Sequence, residues 1–90
     1  MIVEFLPRSE DELEEAYCFY EARGTSLGTE FKQDAMKAAE LISAHPHAGA
    51  IVHENARRIL FGRFPYALIY RIDDDRIVVL AVAHLRRQPF

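Results

Sequence analysis

The sequence offers no second cysteine, no apolar stretch long enough to span a bilayer, and no lysine beyond residue 37. Cys18 alone cannot close an internal disulfide, and small secreted domains usually depend on several, so the expected compartment is the cytoplasm. A spanning helix takes roughly 18 apolar residues in a row, and nothing here approaches that. The opening MIVEFLPRSEDE has no basic segment before its apolar residues and does not read as a secretory leader. A basic excess is also missing. The net charge of −3 argues against nucleic-acid binding by bulk electrostatics. His45, His47 and His53 match no common ligand spacing, and no cysteine or acidic trio completes them, so no metal or other cofactor is expected.

What is present fits one soluble globular domain over residues 1–90. Half the residues are hydrophobic and 28% are charged, and so short a chain does not divide into two cores. The charge is uneven. Residues 1–40 carry ten acids against four bases, whereas residues 41–90 carry four acids against seven bases, all arginine. The guanidinium fork suits carboxylates and phosphates, which makes the second half the expected side for an anionic partner.

Residues 2–6 read as a strand stopped by Pro7. Ser9 followed by Glu12 has the form of a capping box, and Leu13, Ala16, Tyr17 and Tyr20 recur at helical spacing, predicting a helix from about 10 to 22 that stops near Gly24. A second helix begins near Ser26 or Leu27, with Leu27, Phe31, Ala35, Ala38 and Ile42 on one face, and ends before Pro46. A polar link over 47–55 then leads to three strand-like runs at 57–61, 66–72 and 76–84, with turn-type segments between them. Such short spacings make consecutive strands antiparallel. The run Ile77-Val78-Val79-Leu80-Ala81-Val82-Ala83 is apolar on both faces, as in a strand covered on each side. The expected fold class is therefore α+β in the order β-α-α-β-β-β, an antiparallel sheet with an αα-hairpin packed on one face.

Three segments carry a more specific signal: Arg57-Arg58-Ile59-Leu60, then Phe64-Pro65-Tyr66-Ala67-Leu68-Ile69-Tyr70-Arg71, then Ile77 to Ala83 followed by His84-Leu85-Arg86-Arg87-Gln88-Pro89. Together with Tyr20-Glu21, the Phe31 helix and the turn at His45-Pro46-His47-Ala48-Gly49, this order resembles the RelE/ParE toxin superfamily over nearly the whole chain, and more closely its ParE branch. The resemblance implies the toxin of a type II toxin–antitoxin module, of the kind linked to plasmid stabilization, held inactive by a cognate antitoxin that wraps it. ParE-type members poison DNA gyrase without nuclease chemistry, whereas RelE-type members cleave messenger RNA in the ribosome. A non-toxic domain that has kept only antitoxin binding is a further alternative.

RNA cleavage would need a base for the 2′-hydroxyl, an acid for the leaving oxygen and cations for phosphate. The candidates are Arg63, His84 and Arg86, with Arg57 and Arg58 as further phosphate contacts and Glu54 as a base. No tyrosine follows Tyr70, and only Phe90 follows Pro89. Together with the low net charge, this favours the gyrase reading, in which the chain is not an enzyme.

Candidate contacts with target or antitoxin are Arg57, Arg58, Arg63, Tyr66, Tyr70, Arg86 and Arg87. Each also has a structural explanation. Arg57 and Arg58 point to opposite faces, so one of them is an ordinary solvated charge. Tyr66, Leu68 and Tyr70 share a face and suit a core beneath the helices. His84 shares its face with Val82 and, by strict alternation, Leu80, which suits a group bordering the core.

Overall fold

The structure is a computed structural model, and residues 1–86 are described. The order is β1 (Ile2–Phe5), α1 (Pro7–Glu21), α2 (Leu27–Ala44), β2 (Ala50–His53), β3 (Ala56–Leu60), β4 (Tyr66–Asp73) and β5 (Arg76–His84). The five strands form one sheet in the order β1-β5-β4-β3-β2, with α1 and α2 on one face.

The α+β class and the αα-hairpin agree with expectation, but the sheet differs in two respects. It is mixed, because β1 runs parallel to β5, with Val3 beside Ile77 and Phe5 beside Val79. Spacing constrains only consecutive strands, and here the hairpin and the following meander together supply the long crossover that a parallel return needs. The sheet also has an extra strand. Part of the 47–55 link forms β2, an edge strand pairing only with β3, whose four residues left little pattern to read.

The start of α1 differs from the capping-box expectation as well. Leu6 caps the helix and Pro7 opens it, since proline's fixed φ suits a first turn and its missing N–H costs nothing there. Ser9 therefore lies inside the helix, where its hydroxyl donates to the Leu6 carbonyl at 2.7 Å. Glu12 is released to reach the sheet.

The main core lies between hairpin and sheet. Phe31, Ala35 and Ile42 from α2 meet Leu68 and Tyr70 of β4 and Ile77 and Val79 of β5, all fully buried. Around Phe31 the rings of Tyr20, Phe61, Phe64 and Tyr66 lie with centroids 4.9 to 5.4 Å from its own, in edge-on, tilted and stacked contacts typical of aromatic clusters. The helices approach closely at Gly28, where a Cβ would come within 2.7 Å of the Tyr17 carbonyl oxygen.

β5 carries a bulge. Ile69 pairs with Ala81 and Tyr70 with Val79, leaving Leu80 without a partner. The extra residue reverses the alternation, so Val79 rather than Leu80 shares the helix-side face with Val82 and His84. β5 is buried on both faces, as its apolar run predicts, with Ala81 and Ala83 on the far side only 4% and 2% exposed. Among the described residues no helix lies on the far side, where Ile69, Ala81 and Ala83 form a small second cluster flanked by Ala56 and Leu80.

Candidate functional site

The arginines of the second half do not form one surface. Arg57 is on the helix-side face of β3, where its guanidinium donates to the carbonyls of Gly49 (2.8 Å) and His47 (3.4 Å). Arg58 faces the opposite way and is exposed, beside Ile69 in the register. Arg63 projects from the β3–β4 loop and meets Glu30 at 2.9 Å. Arg71 bonds Asp73 at 3.0 Å and Arg76 meets Glu4 at 2.9 Å. Arg86 follows β5 and is exposed. Among the described residues only Arg58 and Arg86 of this set have no ion pair or side-chain hydrogen bond. Arg87 lies outside the described residues.

Tyr66 and Tyr70 are core residues. Tyr70 is fully inaccessible, and its hydroxyl donates to the Pro46 carbonyl at 2.7 Å while accepting the Gly49 N–H at 2.9 Å. Tyr66 is 8% exposed and packs against Phe31 and His84. Neither offers the open contact surface expected of a residue that meets target or antitoxin. Together with Arg57, Tyr70 instead holds the chain reversal ahead of β2.

The candidate ribonuclease groups divide between the two ends of the sheet. Tyr66 pairs with His84, and the Leu85 N–H bonds the Pro65 carbonyl at 3.0 Å, which brings His84 and Arg86 to the end that carries the Arg63 loop. The ring nitrogen Nδ1 of His84 accepts the Arg86 N–H at 3.1 Å. Glu54 occupies the β2–β3 turn at the opposite end, in left-handed backbone and 3.7 Å from His53. It is therefore remote from His84 as a base partner. Among the described residues no three His, Cys, Asp or Glu side chains gather as a metal set.

Two features went unnoticed in the sequence. The first is a groove of about 440 Å³ on the far face of the sheet, lined by Val52, Ala56, Leu80 and the buried Ile69 and Ala81, with Arg8 and His53 at its margin. Its signal was the apolar character of both faces of β5. The second is Asp34, a buried carboxylate on α2 that accepts three backbone N–H groups of the β3–β4 loop. Helical spacing from Phe31 and Ala38 already placed this acid on the apolar stripe.

A family comparison decides the identity. Residues 3–89 match the family described as the ParE toxin of type II toxin-antitoxin system, parDE. The chain belongs to the ParE toxin family. Among solved structures, a chain of the chromosomal ParDE TA system from P. aeruginosa is similar, with a TM-score of 0.82 and 18% identity over 94% of this chain and 96% of that one. At that identity the likeness is one of fold. Curated proteins gave no match. As a ParE-family toxin the chain is the toxin component of a type II system, and no described helix is long and apolar enough to cross a membrane.

Proposed function

We propose that this ParE-family chain inhibits DNA gyrase by protein–protein contact in the cytoplasm, and that a cognate antitoxin silences it by covering the open face of the sheet. The observation that carries the antitoxin half is the apolar groove on the helix-free face of the sheet, beside Arg8, Arg58 and His53. An apolar floor edged by the Arg8 and Arg58 guanidiniums suits an amphipathic segment with apolar residues on one side and acids on its flanks. Gyrase is favoured over the ribosome by the net charge of −3, which gives little attraction to ribosomal RNA, and by the distance between Glu54 and the His84 end.

The ribonuclease reading retains one observation in its favour, since Arg63, His84 and Arg86 share an end of the sheet. Induced expression, scored in parallel for loss of DNA supercoiling and for message cleavage, separates the readings. Supercoiling arrest without cleavage is expected. Codon-positioned cleavage that disappears in His84→Ala or Arg63→Ala would replace the gyrase reading with the ribosomal one. Normal growth with antitoxin binding intact would leave a non-toxic binding domain.

A further inference from the structure

Helix α2 holds the β3–β4 loop at two points one turn apart, and the two contacts act on different parts of it. Asp34, only 6% exposed, accepts the backbone N–H groups of Gly62 (3.2 Å), Arg63 (2.9 Å) and Phe64 (3.0 Å). Three successive N–H groups converging on one carboxylate make an anion nest, filled here from within the chain. Glu30, four residues earlier, touches only the Arg63 side chain, with Oε1 at 2.9 Å from Nη2.

The loop is also anchored by its aromatics. Phe61 packs on Phe31 at 5.4 Å between centroids, and Phe64 packs on Tyr20 at 4.8 Å and on Phe31 at 5.3 Å. What remains outside is Arg63, whose side chain is 65% exposed. The Asp34 carboxylate is largely shielded from solvent and orders the part-buried backbone around it. The ion pair is at the surface, where such contacts shift an equilibrium by no more than about fivefold and are readily exchanged.

We propose that Glu30 is an internal stand-in for a carboxylate on a protein partner, and that Asp34 is the positioning residue that keeps Arg63 aimed when that partner takes it. This deepens the partner-binding reading above and rests on it only for which protein the partner is. A carboxylate is the group Arg63 already holds, so an acidic peptide replaces Glu30 like for like. A polyphosphate chain would gain little from a site that retains Glu30 on a molecule of net charge −3.

The test is a titration of the isolated full chain with a hexaglutamate peptide, and separately with inorganic phosphate, at low salt, followed by NMR at the Arg63 amide and side chain. Glu30→Gln is expected to bind the peptide about two- to fivefold tighter than the parent, with the gain lost in the Glu30→Gln/Arg63→Ala double variant. Asp34→Asn is expected to speed amide exchange at residues 62–64, leave exchange in β4 and β5 unchanged, and weaken peptide binding. Should Asp34→Asn not fold, Gly62→Ala takes its place, since its Cβ would lie 3.3 Å from Asp34 Oδ1 and disturb the nest without removing the charge. Equal peptide affinity in parent and Glu30→Gln, a gain that survives loss of Arg63, or loosened loop amides with undiminished peptide binding would each overturn the proposal. So would a larger gain for phosphate than for peptide. Growth arrest is not read in this titration, so its failure leaves the toxin reading standing, and a failed growth assay leaves the titration interpretable.

Discussion

The Glu12 carboxylate on α1 accepts the backbone N–H of Val82 in β5 at 2.8 Å, across 70 residues of sequence. β1 ends its pairing at Phe5 beside Val79, and beyond that point no strand among the described residues lies on the outer side of β5. Glu12 takes the place of the missing strand, which an N–H at a covered edge requires. Glu12→Ala is expected to cost about 1–3 kcal/mol, the range for stranding a largely buried donor. Glu12→Gln keeps an acceptor and should cost less. Urea denaturation of the three proteins measures both, and equal stability of parent and Glu12→Ala would show that the bond contributes nothing.

A second prediction concerns the reversal ahead of β2. A Cβ on Gly49 would lie 2.6 Å from the Tyr70 hydroxyl oxygen and 2.9 Å from the Arg58 carbonyl oxygen. Gly49→Ala should therefore destabilise by about 1–3 kcal/mol through overpacking. Tyr70→Phe, which strands the Gly49 N–H and the Pro46 carbonyl, should cost a similar amount. The two changes share one contact, so the double variant should lose less than the sum of the singles. Strict additivity in thermal or urea melts would mean that the two residues do not act together.

The exposed pair Arg71–Asp73 sets a pH dependence of known sign. The hydrogen bond from Arg71 holds the Asp73 carboxyl below its ordinary value of 3.8, against a smaller opposing effect of desolvation. A carboxyl depressed by folding stabilises the native state above its unfolded pKa, and that contribution is lost as pH falls through the folded value. The same bond raises the Arg71 guanidinium further above its ordinary value, so its own contribution persists throughout the neutral range. Arg71→Gln should return the Asp73 titration toward 3.8, which carboxyl NMR can follow, and should flatten the acid side of the stability curve. An unmoved Asp73 titration would remove the pair as the cause.

The open face supplies a prediction about partnership. An antitoxin that binds only the folded toxin adds stability by mass action, about 2.7 kcal/mol at a hundredfold excess over Kd. The complex should then melt higher than the toxin alone. Arg58→Glu reverses a charge beside Ile69 on that face, so it should weaken the complex and shrink the difference in melting temperature while leaving the free toxin's own melt nearly unchanged. Equal melting temperatures with and without saturating antitoxin would count against coverage of the face.

Much of the architecture was readable from local pattern. The stripe through Leu27, Phe31, Ala35, Ala38 and Ile42 requires a helix with one buried face, and Phe31, Ala35, Ala38 and Ile42 are buried as it demands. The β4 and β5 segments are apolar enough to be strands wherever they pair, and their common turn is too short for anything but an antiparallel return. The site was much less legible. Seven arginines in one half suggested a single cationic surface, yet in the structure Arg57, Arg63, Arg71 and Arg76 are each engaged by a group close to them in space.

The sequence by itself determined which segments are helices and strands, the four-residue β2 excepted, because periodicity and turn chemistry act over a few residues. Tertiary structure alone decided that β1 lies parallel beside β5, that the bulge at Leu80 turns this side chain away from the core, and that Glu12 and Asp34 serve backbone groups far along the chain. A backbone N–H left without a strand partner must find an acceptor wherever folding brings one, and no local pattern records which acid that will be.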